Sequence, residues 1–293
     1  MKKPVKEPKT QQVLSRYVDA YAREVGADVG RVRRRISYMA IAGALRDADF
    51  AEGERPRFGV KGGVALELRL PERARATRDL DLILNQDDGD LVEALDGALA
   101  RGHEAFAFRR KTEAHLMPNG AVRTRYQVEF RGRPWSTVEI DVARREGGET
   151  EVELVPGMDL RESFGIAGAD EVPCLSLRHH LAQKLHGATR PPREGAANER
   201  FRDVVDLLLL REFVVDYAAL REACEAVFGH RGTHAWPPAV EAPEHWREPF
   251  ARMAGEIGLP VTDVDQAVEE VRVFVAKIVG EQTETTQVAA VPS

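Results

Sequence analysis

Along the first fifty residues the apolar positions recur at helical spacing, predicting two helices, over 11–25 and 31–48, separated by Gly26 and Gly30. In the second helix Val32, Ile36, Met39 and Ala40 form the apolar stripe. The pattern then changes. Phe58 to Val60 reads as a short strand entering the turn Gly62-Gly63, and 64–69 as a short helix. Over 79–84, Leu80, Leu82 and Leu84 alternate with Asp79 and Asp81, as in a strand with one buried face. Asp87 is placed to cap a helix running to about Ala100. Strands are expected over 104–110, 123–131 and 135–143, and in the last Val138, Ile140 and Val142 alternate with Glu139 and Asp141. Beyond Gly147-Gly148 the composition shifts, and 150–173 reads as irregular structure with short strands. From Ser176 the periodicity is helical, over about 176–188, 197–211, 216–228, 243–256 and 263–280. A loop rich in Pro and His spans Gly229 to Pro243, and the polar tail 281–293 is expected to fray.

The order of elements implies an α+β protein. A mixed-sheet α/β domain over 1–155 precedes a mainly helical domain over 156–293, with the break between about 150 and 170. With 43% hydrophobic residues in 293, the chain can build a full core and is not disordered. A net charge of −6 argues against coating nucleic acid by bulk charge, yet leaves room for a local basic groove. Two distant cysteines, Cys174 and Cys224, form no disulfide framework or zinc cluster, which suits a reducing cytoplasm. No apolar run approaches the length of a membrane span, and no apolar stretch follows the basic N-terminus as in a signal peptide.

Within this frame the charged residues at apolar-patterned positions are informative. Asp79 and Asp81 share one face of their strand, where aspartate is disfavoured and two carboxylates repel. Either a divalent cation sits between them, or they line a solvated face and pair with Arg75 or Arg78. If the 135–143 strand is a neighbour, Asp141 can join them. Gly62 and Gly63 can let backbone N–H groups approach a phosphate at a helix N-terminus, with Lys61 adding charge; a Gly-Gly pair is also an ordinary turn. Lys184 lies at the edge of the stripe formed by Leu177, Leu181, Leu185 and Ala188, so it needs an anionic partner or snorkels outward. Asp203 and Asp206 share a face with Leu207 and Leu210, while Phe201, Val204, Val205 and Leu208 cover the other. A helix apolar on two sides is largely buried, so its aspartates must be paired, with Arg200 and Arg202 as available partners. Arg31, Arg33, Arg34 and Arg35 crowd a helix start, either as a solvated face or against an anionic partner. His230, His234 and His245 do not match a zinc spacing and read as packing of the helical half.

Four motifs in order, Gly62-Gly63-Val64, Arg75 to Asp81, Gln183-Lys184-Leu185-His186 and Arg202-Asp203-Val204-Val205-Asp206, resemble those of the nucleotidyltransferase superfamily that includes DNA polymerase β. The closer resemblance, over roughly 55–210, is to the AbiEii family of toxin nucleotidyltransferases of type IV toxin–antitoxin systems, to which MenT toxins are related. The resemblance implies the polymerase β-like core and a magnesium-dependent transfer of a nucleoside monophosphate from an NTP to an RNA acceptor, the 3′ end of tRNA, which blocks translation. It implies two metal ions held by Asp79, Asp81 and Asp141, and catalytic roles for these and for Lys184 and Asp203. Lys61, Gly62, Gly63, Arg75, Thr77 and Lys184 become the nucleotide-binding set. Lys184 would contact the triphosphate, so that its removal ends transfer and leaves the fold intact. Val64 stands where the family has a hydroxyl. A cognate antitoxin encoded nearby is also implied. Arg31–Arg35, Arg109–Lys111 and Arg123, Arg125, Arg131 and Arg133 are candidate tracks for an RNA backbone. A small-molecule acceptor, or a binding module whose chemistry has lapsed, are the alternatives.

Overall fold

The computed structural model describes residues 5–51, 56–85, 89–146, 151–192 and 197–280. The chain divides into two compact units, Met1–Ser176 and Leu177–Ser293. The expected break at 155 falls instead inside a sheet strand, because the segment after it pairs back into the sheet of the first unit.

The first unit is an α+β sheet domain. Its helices are α1 (Gln11–Val25), α2 (Val29–Ala51), α3 (Gly62–Arg69), α4 (Leu91–Leu99) and α5 (Leu160–Phe164). Its strands are β1 (Phe58–Lys61), β2 (Asp79–Leu84), β3 (Phe106–Arg110), β4 (His115–Leu116), β5 (Val122–Phe130), β6 (Arg133–Arg144), β7 (Val152–Pro156) and β8 (Glu171–Leu175). Among the described residues they form one sheet in the order β3-β5-β6-β2-β1-β8-β7, with β4 beside β5. The pairs β2–β6 and β1–β8 are parallel, and the others antiparallel. Leu80, Leu82 and Leu84 of β2 meet Val138, Ile140 and Val142 of β6 in one buried core with Ile36 and Met39 of α2. Burial of these alternate positions fixes the register, since a slip by one residue would drive every carboxylate of β2 and β6 into that core.

Several local predictions are refined. Helix α2 begins before residue 31, where Asp28 Oδ1 accepts from the Arg31 N–H at 2.7 Å. Helix α4 is capped by Asp90, whose carboxylate accepts from the N–H groups of Val92 and Glu93 at 2.7 and 3.0 Å. The Asp87 cap expected from sequence lies outside the described residues, as do Gly147-Gly148 and the tail 281–293.

The second unit is helical: α6 (Leu177–Thr189), α7 (Phe201–Leu210), α8 (Tyr217–Arg231), α9 (Arg247–Glu256) and α10 (Val264–Val279), with short 3-10 turns at Arg211–Phe213 and Glu244–Trp246. Helix α8 outlasts its expected end at 228 and stops at Gly232, whose φ of +58° is accessible to glycine without strain. Helix α7 is buried on nearly every side, including Asp203 and Asp206.

Candidate active site

The face of the central sheet opposite the leucines carries charge in ordered rows. Asp81 on β2 lies opposite Asp141 on β6, which lies opposite Arg123 on β5. In the next row Asp79, Glu139 and Arg125 stand side by side in the same strand order. Because β2 and β6 are parallel neighbours, alternation in each strand sends all four carboxylates to one face. Carboxylates thus occupy the two central strands and cations the strand beside them.

Those cations are engaged. Arg123 donates to both oxygens of Asp141, from Nε at 2.7 Å and Nη2 at 2.6 Å, and reaches Glu139 at 3.2 Å. Its bond to Asp141 holds the Arg123 guanidinium even further above its usual pKa. Arg125 donates to Glu139 at 2.8 Å. Thr77, buried just before β2, donates from Oγ1 to Asp79 Oδ1 at 3.1 Å.

On the other side of Asp81 stands the glycine turn. Lys61 is the register partner of Asp81, and Gly62 follows with φ +61°. A methyl group on Gly62 would overlap the Asp81 carboxylate, and one on Gly63 would lie 2.6 Å from both Cβ and Oγ1 of Thr77. The two glycines are therefore required by the close approach of the turn to the Asp-bearing segment, and this contact joins the first two sequence motifs physically. Val64 is buried in the core, so the third position of the turn serves packing here.

The carboxylates are hard oxygen donors, which suits magnesium. Their arrangement differs from the expected open triad, however. Both oxygens of Asp141 are taken by Arg123, and among the described residues no three His, Cys, Asp or Glu side chains are grouped to hold a metal. Asp141 can serve as a metal ligand only when Arg123 gives way. Strand alternation put Glu139 and Asp141 on the exposed face of their strand, whereas their place beside the aspartates of β2 and the Arg123 clamp depend on β2–β6 and β5–β6 pairing and were not legible.

In the second unit, described by itself, Lys184 Nζ lies 2.7 Å from Asp203 Oδ1 and 2.7 Å from Asp206 Oδ2. Lys184 is 8% exposed, Asp203 3% and Asp206 0%. The anionic partner demanded by the lysine is this pair of aspartates, and Lys184 is a partner that both aspartates share. Arg200 adds a bond to Asp203 at 3.2 Å as expected, whereas Arg202 stacks on Phe201 instead. The spacing on α6 and α7 could not reveal that the two motifs satisfy one another.

The arginines at the start of α2 also have a partner. Glu67, buried on α3, accepts from Arg31 Nε at 3.2 Å and from Arg35 Nε at 2.9 Å. Arg33 lies over the Trp135 ring at 4.6 Å, and Arg34 reaches Asp28 at 3.8 Å. This cluster fastens α3, which carries the glycine turn, to α2; it is not an open RNA track. Arg131 is likewise bound to Glu7 and to the Pro8 carbonyl, and Arg110 turns to Asp96 at 3.1 Å. Of the expected tracks, Arg109, Lys111, Arg123 and Arg125 remain on or beside the carboxylate face.

Of the loop histidines, His234 packs into an aromatic group with His186, Phe228 and Trp236. Thr233 bridges His186 Nε2 at 2.8 Å and His234 Nδ1 at 3.0 Å. Burial, and then the Arg231 charge, hold His186 down to a pKa of about 3. His245 meets the Asn198 carbonyl at 2.9 Å.

A glycine turn is thus pressed against an Asp-x-Asp strand, with a further carboxylate on the parallel neighbour. The chain belongs to the AbiEii nucleotidyl transferase toxin family of type IV toxin–antitoxin systems, whose model matches residues 44–270. Its fold is similar to that of MenT4, the nucleotidyltransferase toxin Rv2826c from Mycobacterium tuberculosis H37Rv, at 17% identity and a TM-score of 0.53, covering 94% of this chain and 100% of that one. An antigenic nucleotidyltransferase-like protein from Paracoccidioides brasiliensis is also similar, at 14% identity and a TM-score of 0.38, over 78% of this chain and 92% of that one. No match is found among curated proteins.

Proposed function

We propose that this chain transfers a nucleoside monophosphate from an NTP to an RNA acceptor, the 3′ end of tRNA, in a magnesium-dependent reaction that blocks translation. The observation that carries the reading is the in-register placement of Asp81 beside Asp141, with Asp79 on the same face and the Gly62-Gly63 turn packed against Asp81. Magnesium, when bound, neutralises the attacking and leaving oxygens of an in-line displacement. Asp79 and Asp81 would hold it, with Asp141 joining on release from Arg123.

The chain's own residues orient the reaction. Thr77 fixes the Asp79 carboxylate by its hydroxyl bond. Gly62 and Gly63 bring the N-terminal N–H groups of α3 close to the aspartates, where triphosphate oxygens are attracted. Lys61, the register partner of Asp81, adds positive charge at the start of α3, and the family resemblance assigns Arg75 to the phosphates. The family resemblance assigns Lys184 the role of the triphosphate lysine, and within its own unit its ammonium is held by Asp203 and Asp206. The cognate antitoxin of such a system is the expected protein partner. The two buried free thiols, Cys174 and Cys224, suit a cytoplasmic site of action. Among the described residues no helix is long and apolar enough to cross a membrane.

The test is transfer of label from each α-phosphate-labelled NTP to total tRNA with magnesium, comparing the parent with Asp81→Ala. Label on tRNA with the parent alone is expected, and it names the nucleotide. Absence of label with every NTP would overturn the reading in favour of a small-molecule acceptor or a lapsed enzyme.

A further inference from the structure

At the Asp79 end of the carboxylate face lies an open cleft of about 490 Å³. Three cations line it, Arg78, Lys111 and Arg125, together with the hydroxyls of Thr112 and Thr137 and the carboxylates of Asp79 and Glu139. Arg125 is neutralised by Glu139 at 2.8 Å. Among the described residues the Lys111 ammonium meets a hydroxyl, Thr137 Oγ1 at 3.5 Å, and neither it nor Arg78 has a carboxylate partner. This differs from the rest of the molecule's arginine clusters, where Glu67, Asp141 and Asp96 answer the charge. With Glu139 answering Arg125, the cleft keeps two cations, Arg78 and Lys111, and two hydroxyl groups against one further carboxylate, Asp79, and the cations and hydroxyls match the oxygens of a phosphate group.

The sheet order says which phosphate. From one side to the other run β1 with its glycine turn, β2 and β6 with the carboxylates, then β5 with Arg125, whose carbonyl accepts from the Lys111 N–H at 2.7 Å. The glycine turn and the cleft thus lie on opposite sides of the aspartates. An in-line displacement needs its nucleophile and its leaving pyrophosphate on opposite sides of the reacting phosphorus. With the triphosphate at the glycine turn, the cleft falls on the nucleophile's side. We propose that Arg78, Lys111, Thr112 and Thr137 form a phosphodiester subsite that holds the backbone of the RNA acceptor close to its 3′ end. The inference rests on the proposed transfer to RNA and specifies which surface of the chain receives that acceptor.

The experiment measures two affinities on the full chain. One is for a fluorescein-labelled single-stranded RNA dodecamer by anisotropy across a salt series, and the other is for a fluorescent NTP analogue. The comparison is between the parent, Arg78→Gln/Lys111→Gln, and an equal-charge control, Arg252→Gln/Arg221→Gln, on the helical unit. Both Arg78 and Lys111 are exposed, so thermal melting of the double variant should match the parent. The expected result is RNA binding weakened by about 10-fold and a salt slope smaller by about 1.4, as for two lost phosphate contacts on a single strand. NTP affinity and the control variant should stay within about two-fold of the parent. RNA affinity and slope unchanged in a parent-active background would overturn the subsite alone. A loss of NTP affinity with RNA binding intact would assign the cleft to the triphosphate and overturn the acceptor assignment. A parent that neither binds nor labels RNA would remove the subsite and the proposed acceptor together.

Discussion

Arg123 closes on Asp141 with two hydrogen bonds, at 2.7 and 2.6 Å, across the antiparallel pair β5–β6. The guanidinium thereby stands as a counter-ion, beside Arg125, within a face of four carboxylates, Asp79, Asp81, Glu139 and Asp141. A cation held in that position by the chain competes directly with a cation from solution.

Arg123→Gln should therefore lower stability in the absence of divalent ions, by about 1 kcal/mol given the partial exposure of the arginine. Millimolar magnesium should restore the melting temperature of this variant and raise that of the parent much less, since a ligand that binds only the folded state stabilises it by mass action. Thermal melts with and without magnesium check this. Equal magnesium responses in the two proteins would show that Asp141 takes no part in a metal site.

The buried triad makes a different prediction from the one the sequence motif suggested. Lys184→Ala removes the ammonium that lies 2.7 Å from both buried carboxylates, Asp203 and Asp206. Removing one member of a buried ion group costs about 3–5 kcal/mol. The variant should unfold at markedly lower denaturant as well as lose transfer. Adding Asp203→Asn and Asp206→Asn should return most of the stability without returning activity. If Lys184→Ala melted like the parent, the ion pairs of Lys184 with Asp203 and Asp206 would contribute little to stability.

Acid should weaken the helical unit through His186. Its pKa of about 3 in the folded protein lies below the ordinary 6.5, so the unfolded chain binds the extra proton between these values. Its contribution is complete above about pH 6.5 and is lost progressively as pH falls towards 3, by at most about 1.4 kcal/mol per pH unit for one proton. His234, lowered in the same direction by its burial, adds to the slope. Urea unfolding of the parent and His186→Gln at pH 7 and pH 5 measures it; the variant should be less stable at pH 7 and lose less on acidification. Parallel losses in both proteins would place the acid sensitivity elsewhere.

The sequence by itself determined the elements and their exposed faces. Alternation of Leu80, Leu82 and Leu84 with Asp79 and Asp81, and of Val138, Ile140 and Val142 with Glu139 and Asp141, is a local property of strands with one buried side. That made the carboxylate face legible, along with the family resemblance and the α+β class. The buried state of Asp203 and Asp206 was legible too, because α7 has no polar side to offer solvent. Only the tertiary structure decided which charges meet. Arg123 reaches Asp141 because β5 pairs with β6; Glu67 gathers Arg31 and Arg35 because α3 packs by α2; Lys184 finds Asp203 and Asp206 because α6 lies against α7. Each pairing joins residues 18 to 36 positions apart. Helical and strand periods report only which way a side chain faces, whereas an ion pair is set by the partner brought opposite it.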